Sequence, residues 1–430
     1  MKPSGIDWIG DIPESWKVRP LKYLAKCNQD VLLETTAPDY SFRYVDIGSV
    51  TYERGITGYQ ELRFEDSPSR ARRKVSVGDT IISTVRTYLK AIAIISDSEN
   101  VIVSTGFAVY TPDEAIYPQY LYYFCKSEGF VQEIDKNSYG IAYPAINTDL
   151  LSRICIAYPC YEEQQAIADF LDKECAQIDS ITADLEKQIE LLQQYKKSLI
   201  TETVTKGLDK SVPMKDSGVE WIGKIPEHWQ KTRIKFEASI IGSGTTPDSG
   251  NSMYYDNGEH SWIQSGDLYG KDYIYETEKQ LTNLAILECH ALNWYTKDFV
   301  VVAMYGASVG NVAISKIDSF TNQACCVIKL NEKNDNRYLF YFLKAAQEEM
   351  LLKAFGGTQP NISQIIIKNL NFLNVPLLEQ IEIADFLDSK CDMINEMLQS
   401  KKDQYDILIK HKKSLIYEYV TGKKRVKEVQ

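Results

Sequence analysis

The chain has 430 residues, 44% of them hydrophobic and 25% charged, and a formal net charge of −11. That length allows two to four domains with proper cores. No apolar run approaches the roughly 18–20 residues of a membrane span, and Met1-Lys2-Pro3-Ser4-Gly5 has no apolar signal core behind it, so a cytoplasmic protein with no membrane contact is expected. The acidic balance argues against an all-over polyanion binder, although a nucleic-acid footprint needs only a local basic or polar surface.

Taken in chain order, the sequence states one plan twice. An opening motif over 1–16 contains Ser4-Gly5-Ile6-Asp7-Trp8-Ile9-Gly10-Asp11-Ile12-Pro13-Glu14-Ser15-Trp16. A globular region over 17–160 follows. In it, Val75-Ser76-Val77-Gly78-Asp79-Thr80-Ile81-Ile82-Ser83-Thr84-Val85 reads as turn then strand, Ala91–Ile95 as a second strand, and Pro118–Phe124 as a short helix. A long helix is expected over 161–207, where Ile167, Leu171, Cys175, Ile178, Ile181, Leu185, Ile189, Leu192 and Leu199 recur at three- and four-residue steps.

Residues 208–229 are a linker and a second opening motif, Ser217-Gly218-Val219-Glu220-Trp221-Ile222-Gly223-Lys224-Ile225-Pro226-Glu227-His228-Trp229. A second globular region spans 230–377, with strands expected at Tyr295–Met304 and Asn311–Ile314 and a helix at Asn336–Leu343. A second long helix is expected over 378–422, striped by Ile383, Leu387, Cys391, Ile394, Met397, Tyr405, Leu408 and Leu415. Residues 423–430 form a basic tail, read as a solvated end. Ile-Ala-Asp-Phe-Leu-Asp at 167–172 returns at 383–388, and Lys-Lys-Ser-Leu-Ile at 196–200 returns at 412–416. A period this long is a domain duplication. The matching ends and dissimilar middles describe a shared frame carrying two different inserts. Two near-identical helices of about 40 residues, each reaching roughly 60 Å, are expected to pair as an antiparallel coiled coil. Lys401 falls where the first copy has Leu185 and flaws the seam.

Little in the sequence can do chemistry. Gly218–Ile225 nearly spells a phosphate-binding loop but lacks its closing Ser or Thr, and its copy has Asp11 in place of the lysine. Asn-Pro-Pro-aromatic, the adenine methyltransferase motif, does not occur. His228, His260, His290 and His411 are the only histidines, and the nine cysteines lack a CxxC pair. Free buried thiols, no metal and no catalytic group are expected.

The two opening motifs, Glu163-Gln164 and Glu379-Gln380 with their IADFLD segments, and the KKSLI exits resemble the conserved regions of type I restriction–modification specificity subunits, in order and over the whole chain. The resemblance implies a mixed α+β fold: two α/β target recognition domains separated by two long antiparallel coiled-coil helices, with an internal pseudo-twofold repeat. Ser243-Gly244-Thr245-Thr246-Pro247 is similar to the family's GxTP signature, and Trp262-Ile263-Gln264-Ser265-Gly266-Asp267-Leu268 to its W-I-x-x-x-D-L strand. Met304–Gly310 resembles its R-G-x-x-G loop with Tyr305 in place of the arginine, and Asn322-Gln323-Ala324 also matches. The first region lacks GxTP; its Val45–Val50 strand and Ser104-Thr105-Gly106-Phe107 fit another variety of recognition domain.

The resemblance implies a non-catalytic subunit that reads a bipartite, asymmetric sequence in double-stranded DNA. It also implies docking to two methyltransferase subunits and to restriction/motor subunits, with S-adenosylmethionine, ATP and Mg2+ bound by those partners and none by this chain. Base edges are read by Arg, Lys, Asn, Gln, Ser or Thr, and phosphates are held by cations and donors. The candidates in the first region are Arg86, Thr87, Tyr88 and Lys90, the later loop with Ser138, Tyr139 and Tyr143, and, for phosphates, Arg70, Arg72, Arg73 and Lys74. Tyr139 and Tyr143 could stack on bases or pack in the domain. In the second region they are Ser243, Thr245, Thr246, Tyr305, Ser308, Asn311, Thr358, Gln359 and Asn361. The rivals are a free-standing methyltransferase or nuclease, a scaffold without a DNA role, and a silenced specificity subunit.

Overall fold

The β-branched runs become sheets because each alternates between two buried faces. The computed structural model describes residues 1–355 and 360–426. The chain divides into two units: Met1–Glu186 with Asp403–Gln430 (unit 1), and Lys187–Lys402 (unit 2). In unit 1 a four-stranded antiparallel sheet runs in the order Ile92–Ile94, Thr80–Ser83, Phe107–Pro112, Ala25–Cys27. A second sheet runs Gln60–Arg63, Ser41–Val45, Val101–Ser104, Ala71–Lys74, with Val101–Ser104 parallel to Ser41–Val45. Ile81, Phe107 and Val109 point into a core shared with Val45 and Val103. Ile82, Ala108 and Tyr110 point the other way, against Leu121 and Phe124 of the Pro118–Lys126 helix.

Unit 2 repeats the scheme. Its five-stranded sheet runs Ala238–Ser243, Cys325–Leu330, Phe299–Ala303, Val312–Ser315, Tyr273–Ile274. Val300 and Val302 face the Asn336–Ala345 helix, while Phe299, Val301 and Ala303 face a separate core. Cys325 and Cys326 divide between the two. A small sheet of Gln280–Leu281, His260–Ile263 and Phe320–Thr321 lies beyond. The polar framework is duplicated as well. Tyr123 donates to Asp172 Oδ1 at 2.6 Å, and Tyr341 to Asp388 Oδ1 at 2.6 Å. Gln164 accepts from Tyr117 N–H at 2.7 Å and donates to Pro159 O; Gln380 accepts from Asp335 N–H at 2.9 Å and donates to Val375 O.

Two expected strands end early. The chain leaves its strand at Val45, and Ile47–Ser49 form a 3-10 turn closed by Ser49 N–H on Asp46 O at 2.9 Å. The strand His260–Ile263 likewise gives way to a turn over Ser265–Leu268, where Asp267 accepts from Gln264 N–H at 2.8 Å. The thiols are free, but Cys160 is exposed and Cys27, Cys155 and Cys289 are only half-buried, so the expectation of uniform burial fails.

The long helices span Tyr161–Lys206 and Leu377–Val420. In unit 1, the ring of Phe170 lies 4.5 Å from that of Tyr419 and Asp179 pairs with Lys412 at 2.5 Å. In unit 2, Lys401 donates to Gln188 at 2.5 Å and Lys196 to Asn395 at 2.8 Å. Numbers rise along one helix as they fall along the other, so the pair is antiparallel in each unit. Lys401, which broke the apolar pattern, is accommodated by that amide. Ile181 and Met397 are not on the buried stripe: they are 48% and 49% exposed, and Thr182 fills the slot beside Ile181.

Both helices end in a glycine at φ +71°, Gly207 and Gly422. Against each end sits the indole of an opening motif. A Cβ on Gly422 would lie 3.3 Å from Trp16, and one on Gly207 would lie 3.3 Å from Trp229. Both indoles are fully buried. The near-miss phosphate loop is a two-stranded ribbon, Met214–Asp216 with Lys224–Pro226, whose Val219 and Ile222 are buried; it does not lead into a helix. In the described part of the basic tail, residues 423–426, the exposed Lys423 donates to Asp11 O at 2.7 Å and the exposed Arg425 pairs with Glu163 at 3.0 Å. No helix among the described residues is long and apolar enough to cross a membrane.

Replacing a buried indole leaves a large cavity. Trp16→Ala should destabilise unit 1 by about 3–5 kcal/mol, read as a lowered denaturation midpoint; an unchanged midpoint would remove the indole from its structural role.

Candidate nucleic-acid interface

In unit 1 the strand Thr80–Ser83 runs out into a loop that returns at Ile92. Arg86 and Lys90 bracket its turn, Thr87–Leu89, and both take left-handed backbone, at φ +53° and +49°. Such conformations cost non-glycine residues free energy and persist where the surroundings enforce them. The later loop packs against this turn. Ile146 N–H donates to Thr84 O at 2.8 Å, Thr87 N–H to Pro144 O at 3.3 Å, and Ser138 Oγ to Thr87 Oγ1 at 3.2 Å. Tyr139 and Ala145 exchange both backbone hydrogen bonds at 2.9 Å, closing a small ribbon. The Arg86 guanidinium lies 5.4 Å from the Tyr143 ring centre.

The two loops singled out from sequence therefore form one surface. Tyr139 and Tyr143 are 64% and 68% exposed, so neither is a core residue. Tyr88 and Ile141 also project into solvent. Thr87 is buried and braces the turn, with Ser138 half-buried beside it.

The turn at Ser104–Gly106 extends this surface. Thr84 N–H donates to Gly106 O at 2.8 Å and Thr105 N–H to Arg70 O at 2.7 Å. A Cβ on Gly106 would come within 2.7 Å of the Ile47 side-chain tip, so a larger residue there would have to push Ile47 aside. Arg70 is thereby joined to the loops, exposed and 3.4 Å from Asp46. Its neighbours are employed differently. Arg72 pairs with Glu34 at 3.1 Å, donates to Ser67, Pro68 and Ala71, and lies over Phe64. Arg73 is half-buried, its Nε has no partner among the described residues, and burial lowers its pKa. Lys74 is exposed at the end of that strand. Of the four expected phosphate contacts, only Arg70 stands beside the loops.

Unit 2 builds the same junction from other side chains. Met304 N–H donates to Ala324 O at 2.7 Å, as Thr84 does to Gly106; Ile362 N–H donates to Met304 O at 2.7 Å, as Ile146 does to Thr84. Phe355 and Asn361 exchange backbone hydrogen bonds as Tyr139 and Ala145 do. The loop after Ala238–Ser243 then crosses very close to the Phe320–Thr321 strand. A Cβ on Gly244 would sit 1.7 Å from Thr321 O, which excludes every other residue type from the GxTP position. The crossing places the Thr246 hydroxyl on Gln323 Oε1 and Thr245 O on the Trp262 indole N–H at 3.3 Å. Tyr305, half-buried, faces Gln323, and burial raises its phenol pKa. Ser308 is buried, its hydroxyl donating to Ser265 O at 2.6 Å, which makes it a loop brace. Ser243 lends its carbonyl to Asn293 and Tyr295. Asn311 is half-buried at the loop's return and Asn361 is exposed. Thr358 and Gln359 lie outside the described residues.

Gln323 and Gln264 complete this polar cluster and, with Asp46 and Thr105, were not among the sequence candidates; the Asn322-Gln323 and Ser104-Thr105-Gly106 signatures carried the only signal. Among the described residues no group of three or more His, Cys, Asp or Glu is placed to hold a metal ion.

Known proteins match this arrangement. The family model described as the type I restriction modification DNA specificity domain matches twice, at residues 13–191 and 226–404. A chain provisionally named as the specificity subunit of the type I restriction enzyme MjaX of Methanocaldococcus jannaschii is 27% identical over 444 residues, covering 97% of this chain and 96% of that one. The MjaVIII specificity subunit of the same organism is also 27% identical, over 72% of this chain and 71% of its own. In fold, the chain is similar to one from a type I R-M system solved for its complex assembly and conformational transition, with a TM-score of 0.76 at 20% identity over 95% of this chain and 98% of that one. It is also similar to the HsdS subunit from Thermoanaerobacter tengcongensis, with a TM-score of 0.52 at 19% identity over 96% and 98% of the two chains. With two matches that together span most of its length, the chain belongs to the family of type I restriction modification DNA specificity domains.

Proposed function

We propose that this chain is the DNA sequence-recognition subunit of a type I restriction–modification system and reads a split, asymmetric target. The observation that carries the reading is the duplicated junction: the Thr84–Ile146 and Met304–Ile362 pairings hold two loop clusters in the same way and furnish them with different side chains. A shared scaffold with unlike loops suits two readers of two different half-sites. Unit 1 offers a guanidinium and tyrosine rings at Arg86, Tyr88, Tyr139 and Tyr143, with Arg70 for a phosphate. Unit 2 offers hydroxyls and amides at Thr246, Gln323, Tyr305 and Asn361. Amides and guanidinium groups discriminate bases in the major groove because they can make two hydrogen bonds to one base edge.

The subunit recognises and does not catalyse. Methyl transfer falls to two methyltransferase subunits carrying S-adenosylmethionine, and cleavage to motor–nuclease subunits using ATP and Mg2+. An adenine within the duplex would have to be turned out of the stack by the methyltransferase.

Methylation mapping of DNA from cells co-expressing this chain with its methyltransferase tests the reading. It should give a two-part, non-palindromic motif methylated on both strands. Exchange of residues 230–377 for the same region of a relative should alter one half of the motif and leave the other. A well-folded complex that methylates nothing would defeat the proposal. Within unit 2, Gln323→Ala should cost about 1–3 kcal/mol of discrimination at one base pair and spare the half-site read by unit 1. Loss of discrimination in both halves would mean that Gln323 acts through folding.

A further inference from the structure

The repeat builds a lysine cleft twice and fills it once. In unit 1, Lys126 ends the short helix Pro118–Lys126, and Lys412 and Lys413 stand on the second long helix. Lys126 is buried, and Lys412 is paired with Asp179 at 2.5 Å. A hairpin of Val50–Thr51 and Gly55–Ile56 closes over them and delivers Tyr52. The Tyr52 hydroxyl donates to Lys126 O at 2.6 Å. Its ring centre lies 5.6 Å from the Lys126 ammonium and 5.9 Å from those of Lys90 and Lys413. Cations within about 6 Å of an aromatic ring centre are attracted to its face. The positive charge of this cleft is therefore covered by the chain itself.

In unit 2 the equivalent lysines are Lys344, Lys196 and Lys197. Lys344 pairs with Asp272, which also lies 3.7 Å from Lys196. Asn395, an amide, receives Lys196 at 2.8 Å where unit 1 has the Asp179 carboxylate. Lys344 has the ring of Phe340 on its own helix, as Lys126 has Tyr122. Among the described residues no second ring covers it: the cleft is open and no aromatic side chain lines it. Lys271 and Lys402 stand on its rim with no carboxylate in ion-pair range among the described residues, while Lys197 is held by Glu348. The wall includes Gly310 and Asn311, the return of the loop that carries Tyr305. In a chain of net charge −11, this is a local concentration of ammonium groups beside a reading loop.

We propose that this open cleft binds the phosphodiester backbone of DNA and supplies a sequence-independent contact next to the half-site read by unit 2. The inference rests on the reading of the chain as a DNA-recognition subunit. Ammonium groups accept phosphates as point charges, without the planar geometry that base recognition needs. Lys344 and Lys196 share the one Asp272 carboxylate, and a phosphate bound in the cleft adds a second anion within reach of Lys271 and Lys402 on its rim.

The test is the salt dependence of binding by the full chain, in complex with its methyltransferase subunits, to a random-sequence duplex and to the target duplex. The variants are K271Q with K402Q, and a charge-matched pair outside the cleft, K297Q with K333Q. Each phosphate contact contributes roughly 0.9 to the slope of log affinity against log salt. The cleft variant should bind both duplexes more weakly, with a slope shallower by about 1–2 and an unchanged ratio between target and random DNA. The outside pair should keep the wild-type slope. Equal slopes for wild type and cleft variant would overturn the proposal, as would an equal effect of the outside pair. A cleft variant that sheds its methyltransferase subunit yet keeps the DNA slope would also overturn it, assigning the cleft to a protein. A wild type that fails to prefer its target would defeat the proposed function, while the slopes on random duplex would still judge the cleft.

Discussion

Each unit depends on an indole that plugs the end of a helix belonging to the other repeat. Trp16 closes the helix ending at Gly422, and Trp229 the helix ending at Gly207. The left-handed glycine turns the chain sharply enough for the ring to seat against the last turn. Around this joint the buried tyrosines reach back to the same helix ends: Tyr120 donates to Val420 O at 3.1 Å, and Tyr338 to Val204 O at 2.9 Å. The joint is satisfied differently in the two units. The Trp229 N–H donates to Glu379 at 2.9 Å, with His228 on the same carboxylate at 3.0 Å. In unit 1 the matching Glu163 turns to Arg425, and the Trp16 N–H has no hydrogen-bond partner among the described residues. An unsatisfied buried donor costs about 1–3 kcal/mol, so the repeat keeps the shape of the joint more strictly than its hydrogen bonds.

From that joint outward, likeness fades in an orderly way. The opening motifs, long helices and buried Tyr–Asp and Gln brackets are common to both units. The sheets share their order of pairing near the helix but not their side chains. The loop clusters share only backbone hydrogen bonds. This gradient is what a reader of varied sequences requires: the part that fixes position is constrained by close packing, and the part that meets DNA is free to change.

The frame was legible because its signals are local. Repeated Trp, Gly and Pro positions, a three-and-four apolar stripe and β-branched runs are each written in a few adjacent residues. The reading surfaces were legible as loops but not as surfaces. Nothing local says that Arg72 will be consumed by Glu34 and Phe64 while Arg70, two residues earlier, stays largely exposed with a single contact to Asp46. Ser308 looked like a donor for DNA and is spent on Ser265. Gln323 meets Thr246 because Gly244 lets a segment far away in sequence pass against Thr321, a crossing no window of sequence contains. Ile181 failed for a smaller reason: apolarity marked it, but the helical phase favoured Thr182.

The division of the chain has a consequence for its synthesis. Unit 2 is drawn from one continuous stretch, Lys187–Lys402, so all of its segments are present once that stretch has been made. Unit 1 joins Met1–Glu186 to the residues from Asp403 onward. Its first-made portion must therefore wait, with Ile12 and Trp16 lacking their final cover, until the last turns of the second long helix emerge from the ribosome. At translation rates of about 5–20 residues per second, that interval lasts from roughly ten seconds to most of a minute. The half made first is completed last, and the cell must protect an unfinished apolar edge for the whole time that its sister is being built.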